Sequence, residues 1–273
     1  YEIASCLVGS EMCIRDRKRI IKVNQSPIGK TPRSTVVSYL GIFDEIRMLF
    51  SKTSMAKELK LSPTMFSMNI KGGRCESCQG TGLQKIELNY LPSAYITCPE
   101  CNGRRYNEKI ISVTYRNKTI LDVLETPIAE IIEIFNDTKK VYSVLRCMVE
   151  LGLGYLTLGQ MSMSLSGGEA QRIKLAKALG TLSRGKSLYI LDEPTSGLNE
   201  IDIDRFIKVL FSLQNKGETI LIIEHNIEFI AKVADYIIDF GVYGGDLGGK
   251  IVAQGKPRDV FAKKDSSLCG LDG

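Results

Sequence analysis

The fold is decided by Leu165-Ser-Gly-Gly-Glu-Ala-Gln171 and, shortly after it, by Leu188-Tyr-Ile-Leu-Asp-Glu-Pro-Thr195. The first stretch begins with serine and continues with apolar residues at helical spacing, so we expect a helix that begins near Ser166. A helix N-terminus presents N–H groups and a positive dipole end, and glycines let a phosphate approach closely. Ser166, Gly167 and Gly168 are therefore candidate phosphate-binding residues. The same pattern is also typical of an ordinary serine N-cap.

The second stretch is a short apolar run that ends in two acids, Asp192 and Glu193, before Pro194. It predicts a buried parallel strand whose carboxyl end enters a loop, where open α/β sheets place their ligands. Phosphoryl transfer needs one carboxylate on magnesium and a second group that orients the attacking water. The alternative is a solvated acidic loop at the end of a strand.

Together, the two stretches resemble the signature and Walker B segments of ATP-binding-cassette (ABC) ATPases. This resemblance implies that Asp192 serves Mg²⁺, that Glu193 is catalytic, and that Glu169 belongs to the ATP-binding signature segment. Ser196-Gly-Leu-Asn199 resembles the D-loop that crosses between paired cassettes, and Asn199 is therefore a further candidate at the nucleotide site.

A second buried strand is predicted from Thr219 to Ile223, and Glu224-His-Asn226 follows it. His225 is the only histidine of the chain. A lone histidine is more often structural, but its place after a core strand matches the ABC switch histidine, which senses the γ-phosphate. An imidazole there donates a charge-sensitive hydrogen bond, so we expect His225 to be catalytic.

The cysteines form two pairs: Cys75-x2-Cys78 is followed after nineteen residues by Cys98-x2-Cys101. This spacing indicates a tetrahedral Zn²⁺ site, and four thiolates leave no open position, so the role is structural. Between the pairs, alternating residues predict a strand that Pro92 breaks and that returns over Ala94 to Thr97. The alternatives are two disulfides or a redox pair, which the absence of a signal peptide does not favour.

Longer stretches resemble one family in particular, UvrA, the damage-recognition ATPases of bacterial nucleotide excision repair. They include Gln25-Ser-Pro-Ile-Gly-Lys-Thr-Pro-Arg-Ser34, Lys71-Gly-Gly-Arg-Cys-Glu-Ser-Cys78 and Gly152-Leu-Gly-Tyr155. The resemblance covers roughly residues 18 to 262 and implies that Gln25 is the Q-loop glutamine. Two positions depart from the family, Asn24 in place of aspartate and Asn199 in place of histidine.

The same resemblance implies ATP, Mg²⁺ and structural Zn²⁺ as cofactors and a cytoplasmic location. It implies damaged double-stranded DNA and a UvrB-type protein as partners, and a homodimer at full length. No Gly-x-x-x-x-Gly-Lys-[Ser/Thr] motif precedes Gln25, where UvrA-like proteins carry it; the one stretch with this spacing, Gly180 to Ser187, follows the signature segment. The loop that cradles the β- and γ-phosphates is therefore missing, and we expect a fragment that is inactive alone.

The predicted fold is an α/β ABC half-core without Walker A, with a helical signature subdomain and an inserted four-cysteine zinc module. We divide the chain into an adaptor-like leader (1–17), a Q-loop segment that enters the helical subdomain (18–70), the zinc module (71–110), the helical signature subdomain (111–160), the ATPase core (161–262) and a tail (263–273). In the second segment, Gly41 to Phe50 predicts an amphipathic helix.

Composition adds few constraints. The net charge of +5 is modest, the hydrophobic fraction of 44% suffices for a sizeable core, and no apolar run reaches membrane-spanning length. Six basic residues gather around the cysteine pairs, where they indicate either contact with phosphates of DNA or simply a solvated face. These residues are Lys71, Arg74, Lys85, Arg104, Arg105 and Lys109.

Two other classes of function compete with a repair ATPase. Cys75-x2-Cys78-x-Gly-x-Gly82 also resembles the zinc repeats of DnaJ-type co-chaperones, which bind unfolded protein, although no further repeat follows. Another ABC ATPase is the second alternative, either a transporter subunit or a UvrA-like resistance paralogue. The zinc insertion argues against a transporter.

Overall fold

The computed structural model describes residues 19–29, 31, 33–88, 91–181, 186–240 and 249–263. The leader predicted at 1–17, Tyr90 and nearly all of the predicted tail lie outside the described residues. The chain divides into two compact units, one formed by Tyr1–Asn24 with Gly185–Gly273 and the other by Gln25–Arg184. Among the residues that the structure describes, no helix has the length and apolar character needed to span a bilayer.

The strands of the described residues are short. They are β1 (Arg19–Val23), β2 (Leu83–Leu88), β3 (Leu91–Thr97), β4 (Thr114–Tyr115), β5 (Lys118–Thr119), β6 (Ser187–Asp192), β7 (Thr219–Ile223), β8 (Ile237–Phe240) and β9 (Ile251–Gly255). The helices are α1 (Val36–Leu40), α2 (Phe43–Ser51), α3 (Ser54–Glu58), α4 (Glu108–Ile111), α5 (Ile120–Glu125), α6 (Ile128–Ile131), α7 (Lys139–Glu150), α8 (Gly167–Gly180), α9 (Glu200–Asn215), α10 (Ile227–Val233) and α11 (Pro257–Phe261). Within the described residues, 3₁₀ turns lie at Pro63–Phe66, Ile132–Phe135 and Ser162–Ser164.

The first unit is built on a parallel sheet of order β1-β6-β7. Its middle strand is the apolar run that precedes Asp192, so the predicted parallel strand is present. Helices α9 and α10 pack together through Phe206 and Phe229, whose stacked rings are 6.1 Å apart. Strands β8 and β9 form a separate antiparallel pair, which α11 covers.

One face of the parallel sheet is exposed and apolar. The register aligns Ile20, Leu188 and Thr219 across the three strands, and it aligns Asp192 with Ile223. The exposed fraction is 63% for Ile20 and 54% for Ile223, which lie on this face. Leu221 of the same face is 49% exposed.

The second unit contains the signature helix and the cysteine module. Helix α8 begins at Gly167, as the sequence predicts, and its last residue, Gly180, packs directly on α7: a Cβ at Gly180 would lie 2.6 Å from Cα of Val144. The helix predicted from Gly41 begins instead at Phe43. Gly41 ends the preceding helix α1 with a left-handed φ of 73°, which interrupts the helical path.

The cysteine module contains an antiparallel hairpin, β2–β3. The sequence predicted that Pro92 breaks the strand, but Pro92 lies inside β3. A two-stranded hairpin has only edge strands, and an edge tolerates a residue without an N–H. The division of the chain into six segments stays a prediction.

Candidate nucleotide and metal sites

Four buried thiols gather at the base of the hairpin. The sulfur atoms of Cys75, Cys78, Cys98 and Cys101 all lie within 4.8 Å of one another, and none forms a disulfide. The Sγ atoms of Cys78 and Cys101 are 3.7 Å apart. A tetrahedral ion with Zn–S bonds of about 2.3 Å needs sulfur atoms about 3.8 Å apart, so the donor set fits Zn²⁺ in both chemistry and spacing.

The protein surroundings shift the pKa values of two of these thiols in opposite directions. Burial raises the pKa of Cys98, but N–H donors of Cys101 and Glu100 outweigh burial and bring it down to about 7. Burial dominates at Cys101 and raises its pKa to about 12. One thiol of the cluster is thus prepared for ionisation, while another needs a cation to become a thiolate.

Two glycines allow the chain to turn tightly around the thiols. The N–H of Gly82 donates to Sγ of Cys78 at 3.2 Å. Gly80 has a left-handed φ of 81°, and a Cβ there would lie only 1.7 Å from the carbonyl oxygen of Met68. The first cysteine pair is therefore pressed against the segment that precedes it, which only glycine permits.

The signature segment forms a capped, solvent-facing helix start. The Ser166 side chain accepts from the N–H of Glu169 at 3.2 Å, and the Glu169 carboxylate accepts from the N–H of Ser166 at 2.7 Å. This is a complete capping box, so the serine N-cap is present. Ser166 and Gly167 are exposed, which leaves the first turn open to an anion.

Tyr155 is a residue of this site that the sequence did not single out. Its hydroxyl donates to Oε1 of Glu169 at 2.5 Å, so both oxygens of the capping carboxylate are engaged. Burial, followed by this bond, raises the pKa of Tyr155 to about 12. For Glu169, burial acts in the opposite direction, but bonds from Tyr155 and Ser166 prevail and lower its pKa.

The predicted Q-loop glutamine contacts the same helix start. A Cβ added to Gly167 would lie 3.3 Å from both Cβ and Oε1 of Gln25. Further along the helix, Nζ of Lys174 donates to the carbonyl and hydroxyl oxygens of Ser26, each at 2.7 Å. Gln25 and the signature residues Ser166 to Glu169 thus lie together in the second unit.

In the first unit, the carboxyl edge of the parallel sheet holds Asp192 and Glu193. Asp192 is the last residue of β6 and is exposed. Glu193 has a left-handed φ of 46°, an uncommon conformation for a residue with a side chain. Its N–H donates to the carbonyl oxygen of Ile223 at 2.8 Å, which fixes this strained backbone to the neighbouring strand.

His225 lies beside Glu193. Its Nδ1 is 3.9 Å from a carboxylate oxygen of Glu193, and its side chain is 78% exposed. Glu193 and His225 come together although 32 positions separate them in the sequence, because the carboxyl ends of adjacent parallel strands meet at one edge. Asn199 caps α9, accepting from the N–H of Asp202 at 2.9 Å.

No sequence pattern pointed to Glu224, although a carboxylate follows directly on a buried strand there. Only 2% of its side chain is exposed. Oε1 accepts from the N–H of Thr195 at 2.9 Å and from its hydroxyl, and Oε2 accepts from the N–H groups of His225 and Asn226. Burial disfavours the charge, but these bonds prevail and lower the pKa of Glu224.

The basic residues around the cysteines fall into two groups. The three arginines are half-buried and donate to backbone oxygens: Arg74 to Asn69, Arg104 to Cys101 and Arg105 to Gly159. Lys71, Lys85 and Lys109 are exposed. A structural role therefore accounts for the arginines, which the sequence had grouped with the lysines.

Comparison with known proteins gives a consistent result. No protein-family model matches the chain. UvrABC system protein A of Staphylococcus aureus (strain COL) is 51% identical over 248 residues, which cover 91% of this chain and 26% of that protein. The protein of the same name from Halalkalibacterium halodurans is 50% identical over 248 residues. The chain thus spans about a quarter of the length of these curated relatives.

Structure comparison leads to the same group. The crystal structure of UvrA2 from Deinococcus radiodurans matches with a TM-score of 0.85 and 43% sequence identity, over 93% of this chain and 31% of that one. The predicted α/β half-core with an inserted four-cysteine module is therefore confirmed. The co-chaperone, transporter and resistance-paralogue alternatives are not favoured. The chain belongs to the UvrA family of ABC ATPases.

Proposed function

We propose that the chain is part of a DNA-damage-recognition ATPase of bacterial nucleotide excision repair. The loops that follow β6 and β7 supply half of one nucleotide site, and the start of the signature helix α8 supplies half of another. The observation that carries the proposal is the meeting of Glu193 and His225 beside Asp192 at the carboxyl edge of one parallel sheet. Such an edge is where α/β proteins bind phosphate ligands.

At this edge, each side chain has a distinct task in hydrolysis. Asp192 would hold Mg²⁺, which supplies charge for the β- and γ-phosphate oxygens. Glu193 orients the attacking water and accepts its proton. His225, exposed and 3.9 Å from Glu193, donates a hydrogen bond to the γ-phosphate.

The signature helix serves the opposite side of a nucleotide. Ser166, Gly167 and Gly168 present N–H groups to the γ-phosphate at a positive helix end. Glu169 fixes the first turn through the capping box, and Gln25, which lies beside Gly167, is the proposed Q-loop glutamine of the nucleotide site. Asn199 starts the helix after the D-loop, where paired cassettes meet.

The core needs an additional apolar layer. Ile20, Leu221 and Ile223 leave one face of the sheet uncovered, and burying such side chains contributes about 1.5–3 kcal/mol each. We place the remaining family sequence, including its P-loop, on this face. Hence we expect the 273-residue chain to lack ATPase activity on its own.

The four-thiol cluster is proposed to hold structural Zn²⁺, and reduced thiols suit a cytoplasmic protein.

Damaged double-stranded DNA, a UvrB-type protein and a second copy of the full-length protein are the proposed partners. Lys71, Lys85 and Lys109 are the proposed phosphate contacts, because their side chains are exposed on the cysteine module. Replacing one of these lysines by alanine should lower the salt dependence of DNA binding by about one unit of slope.

A chimera tests the ATPase assignment. This chain replaces the matching quarter of the Staphylococcus aureus relative, and phosphate release is measured with and without Glu193→Gln. We expect the chimera to hydrolyse ATP and the substitution to lower kcat by about 10³-fold while ATP still binds. The matched control is Glu200→Gln, in the exposed first turn of α9. Equal rates for the chimera and Glu193→Gln would remove Glu193 from the mechanism.

A further inference from the structure

Strand β7 carries a glutamate at each end, and both bond to the region of its neighbour β6. Glu218 precedes the strand and accepts from the N–H of Ser187, the first residue of β6. Glu224 follows the strand and accepts from Thr195, three residues beyond β6. The two side chains thus have the same chemistry, but only Glu224 lies at the edge that holds Glu193 and His225.

Glu224 connects two loops that come from different strands. Its Oε1 accepts both donors of Thr195 in the loop after β6. Its Oε2 accepts the N–H of His225 at 2.9 Å and that of Asn226 at 3.2 Å, in the loop after β7. One carboxylate therefore satisfies four donors, and its side chain is only 2% exposed. No solvent molecule can take over this connection without opening the loops.

The loop that Glu224 fixes is the strained one. Glu193, two residues before Thr195, has a left-handed φ of 46°. Such a backbone persists only where its surroundings hold it from several directions. The described residues supply three such restraints: the N–H bond of Glu193 to Ile223, the bond from the N–H of Ser196 to the carbonyl oxygen of Glu193, and the two bonds from Thr195 to Glu224.

We propose that Glu224 is a positioning residue for ATP hydrolysis, which holds Glu193 and His225 in their mutual geometry by tying Thr195 to the backbone of the switch loop. This inference rests on the proposed ATPase function. Glu224 does not touch the reacting atoms; it acts through the two loops and through the His225 imidazole, whose Nδ1 lies 4.0 Å from Oε2 of Glu224. The hydrogen bonds that lower the pKa of Glu224 also keep it charged, and a charged acceptor makes stronger bonds to N–H donors.

Glu224→Gln is the direct test, because glutamine keeps the shape but presents an NH₂ group to N–H donors. In the chimera with the Staphylococcus aureus relative, we expect kcat for ATP to fall at least ten-fold, with KM changed by less than about two-fold. Glu218→Gln is the matched control, for which kcat should stay within about two-fold. Thermal melting of both variants measures the loss of stability.

Hydrogen exchange of the chain itself provides a second readout. Glu224→Gln should speed exchange at the amides of Thr195, His225 and Asn226, whereas Glu218→Gln should do so only near Ser187. A further variant, Thr195→Val, removes one hydroxyl bond from a buried side chain of similar shape. We expect Thr195→Val to lower kcat, whereas Thr195→Ser, which keeps the hydroxyl, should retain the parent kcat. These two variants test the positioning role even if Glu224→Gln does not fold.

The outcomes separate the two proposals. A parent chimera without ATPase activity would contradict the proposed function. In an active chimera, equal kcat values for Glu218→Gln and Glu224→Gln, or a Thr195→Val variant with full activity, would overturn the positioning role of Glu224. The positioning role would also be overturned if kcat fell in proportion to the loss of melting temperature, with the same proportion in Glu218→Gln and Glu224→Gln.

Discussion

The thiol cluster and the nucleotide loops present their functional groups in opposite ways. All four thiols are buried, and Cys98 is completely inaccessible. By contrast, Glu193 is 47% and His225 78% exposed, and Ser166 lies on the surface. A site whose donors already converge inside the chain needs only its ion. A site whose groups face outward needs another surface, as does the proposed nucleotide site shared between two cassettes.

The largest effect should come from removing one thiol. Cys98→Ser leaves three thiolates for Zn²⁺, and the binding free energy of such structural sites is of the order of 10 kcal/mol. We expect zinc content to fall from about one ion per chain to near zero, with loss of hairpin structure in circular dichroism. Cys147→Ser, in a half-buried position of α7 outside the cluster, is the control. Equal zinc content in the two variants would contradict the proposal that the four-thiol cluster binds Zn²⁺.

A second prediction separates two costs of replacing a glycine: steric crowding of the new side chain and the strain of a left-handed backbone. Gly80 and Gly41 both have left-handed φ angles, 81° and 73°, but only Gly80 is crowded, by the Met68 carbonyl. Gly80→Ala should cost about 3 kcal/mol, from strain and overpacking together, and should speed zinc release. Gly41→Ala should cost about 1 kcal/mol. Urea denaturation of both variants measures the difference, and similar midpoints would contradict the close packing at Gly80.

The thiol cluster could be predicted from the sequence more completely than the nucleotide loops, and the reason is physical. Cysteine pairs at metal-ligand spacing carry their chemistry in the residue type, so position alone identified all four. The strand β6, the helix start at Ser166 and the strand β7 were also predicted, because apolar periodicity and a cap mark them. Glu224 and Tyr155 were quoted only as parts of longer stretches, and their roles were missed because the fold supplies the partners of each side chain: Thr195 for Glu224 and Glu169 for Tyr155.

The third prediction compares two capping boxes. Thr119 with Asp122 caps α5, and Ser166 with Glu169 caps the signature helix α8. Replacing Thr119 or Ser166 by alanine should cost about 1 kcal/mol of stability in either case. Only Ser166→Ala should also lower ATP turnover in the chimera, since only that helix start belongs to the proposed nucleotide site. Phosphate release and melting temperature are measured on both, and an equal loss of turnover would reduce Ser166 to a structural cap.

The smallest expected effect concerns Tyr155, whose hydroxyl holds the capping carboxylate of Glu169 at 2.5 Å. Tyr155→Phe should cost only about 0.5 kcal/mol, because the tyrosine is more than half exposed and water replaces part of the bond. The sign of its pH dependence follows from Glu169, whose pKa is lowered from its ordinary 4.5 in the folded chain. That contribution is present above pH 4.5 and is lost as the pH falls through the folded pKa. The melting temperatures of parent and variant should therefore differ at pH 7 and converge below pH 4.5. A difference that persists in acid would mean that the Tyr155 hydroxyl stabilises the helix start through a bond that does not require the charge of Glu169.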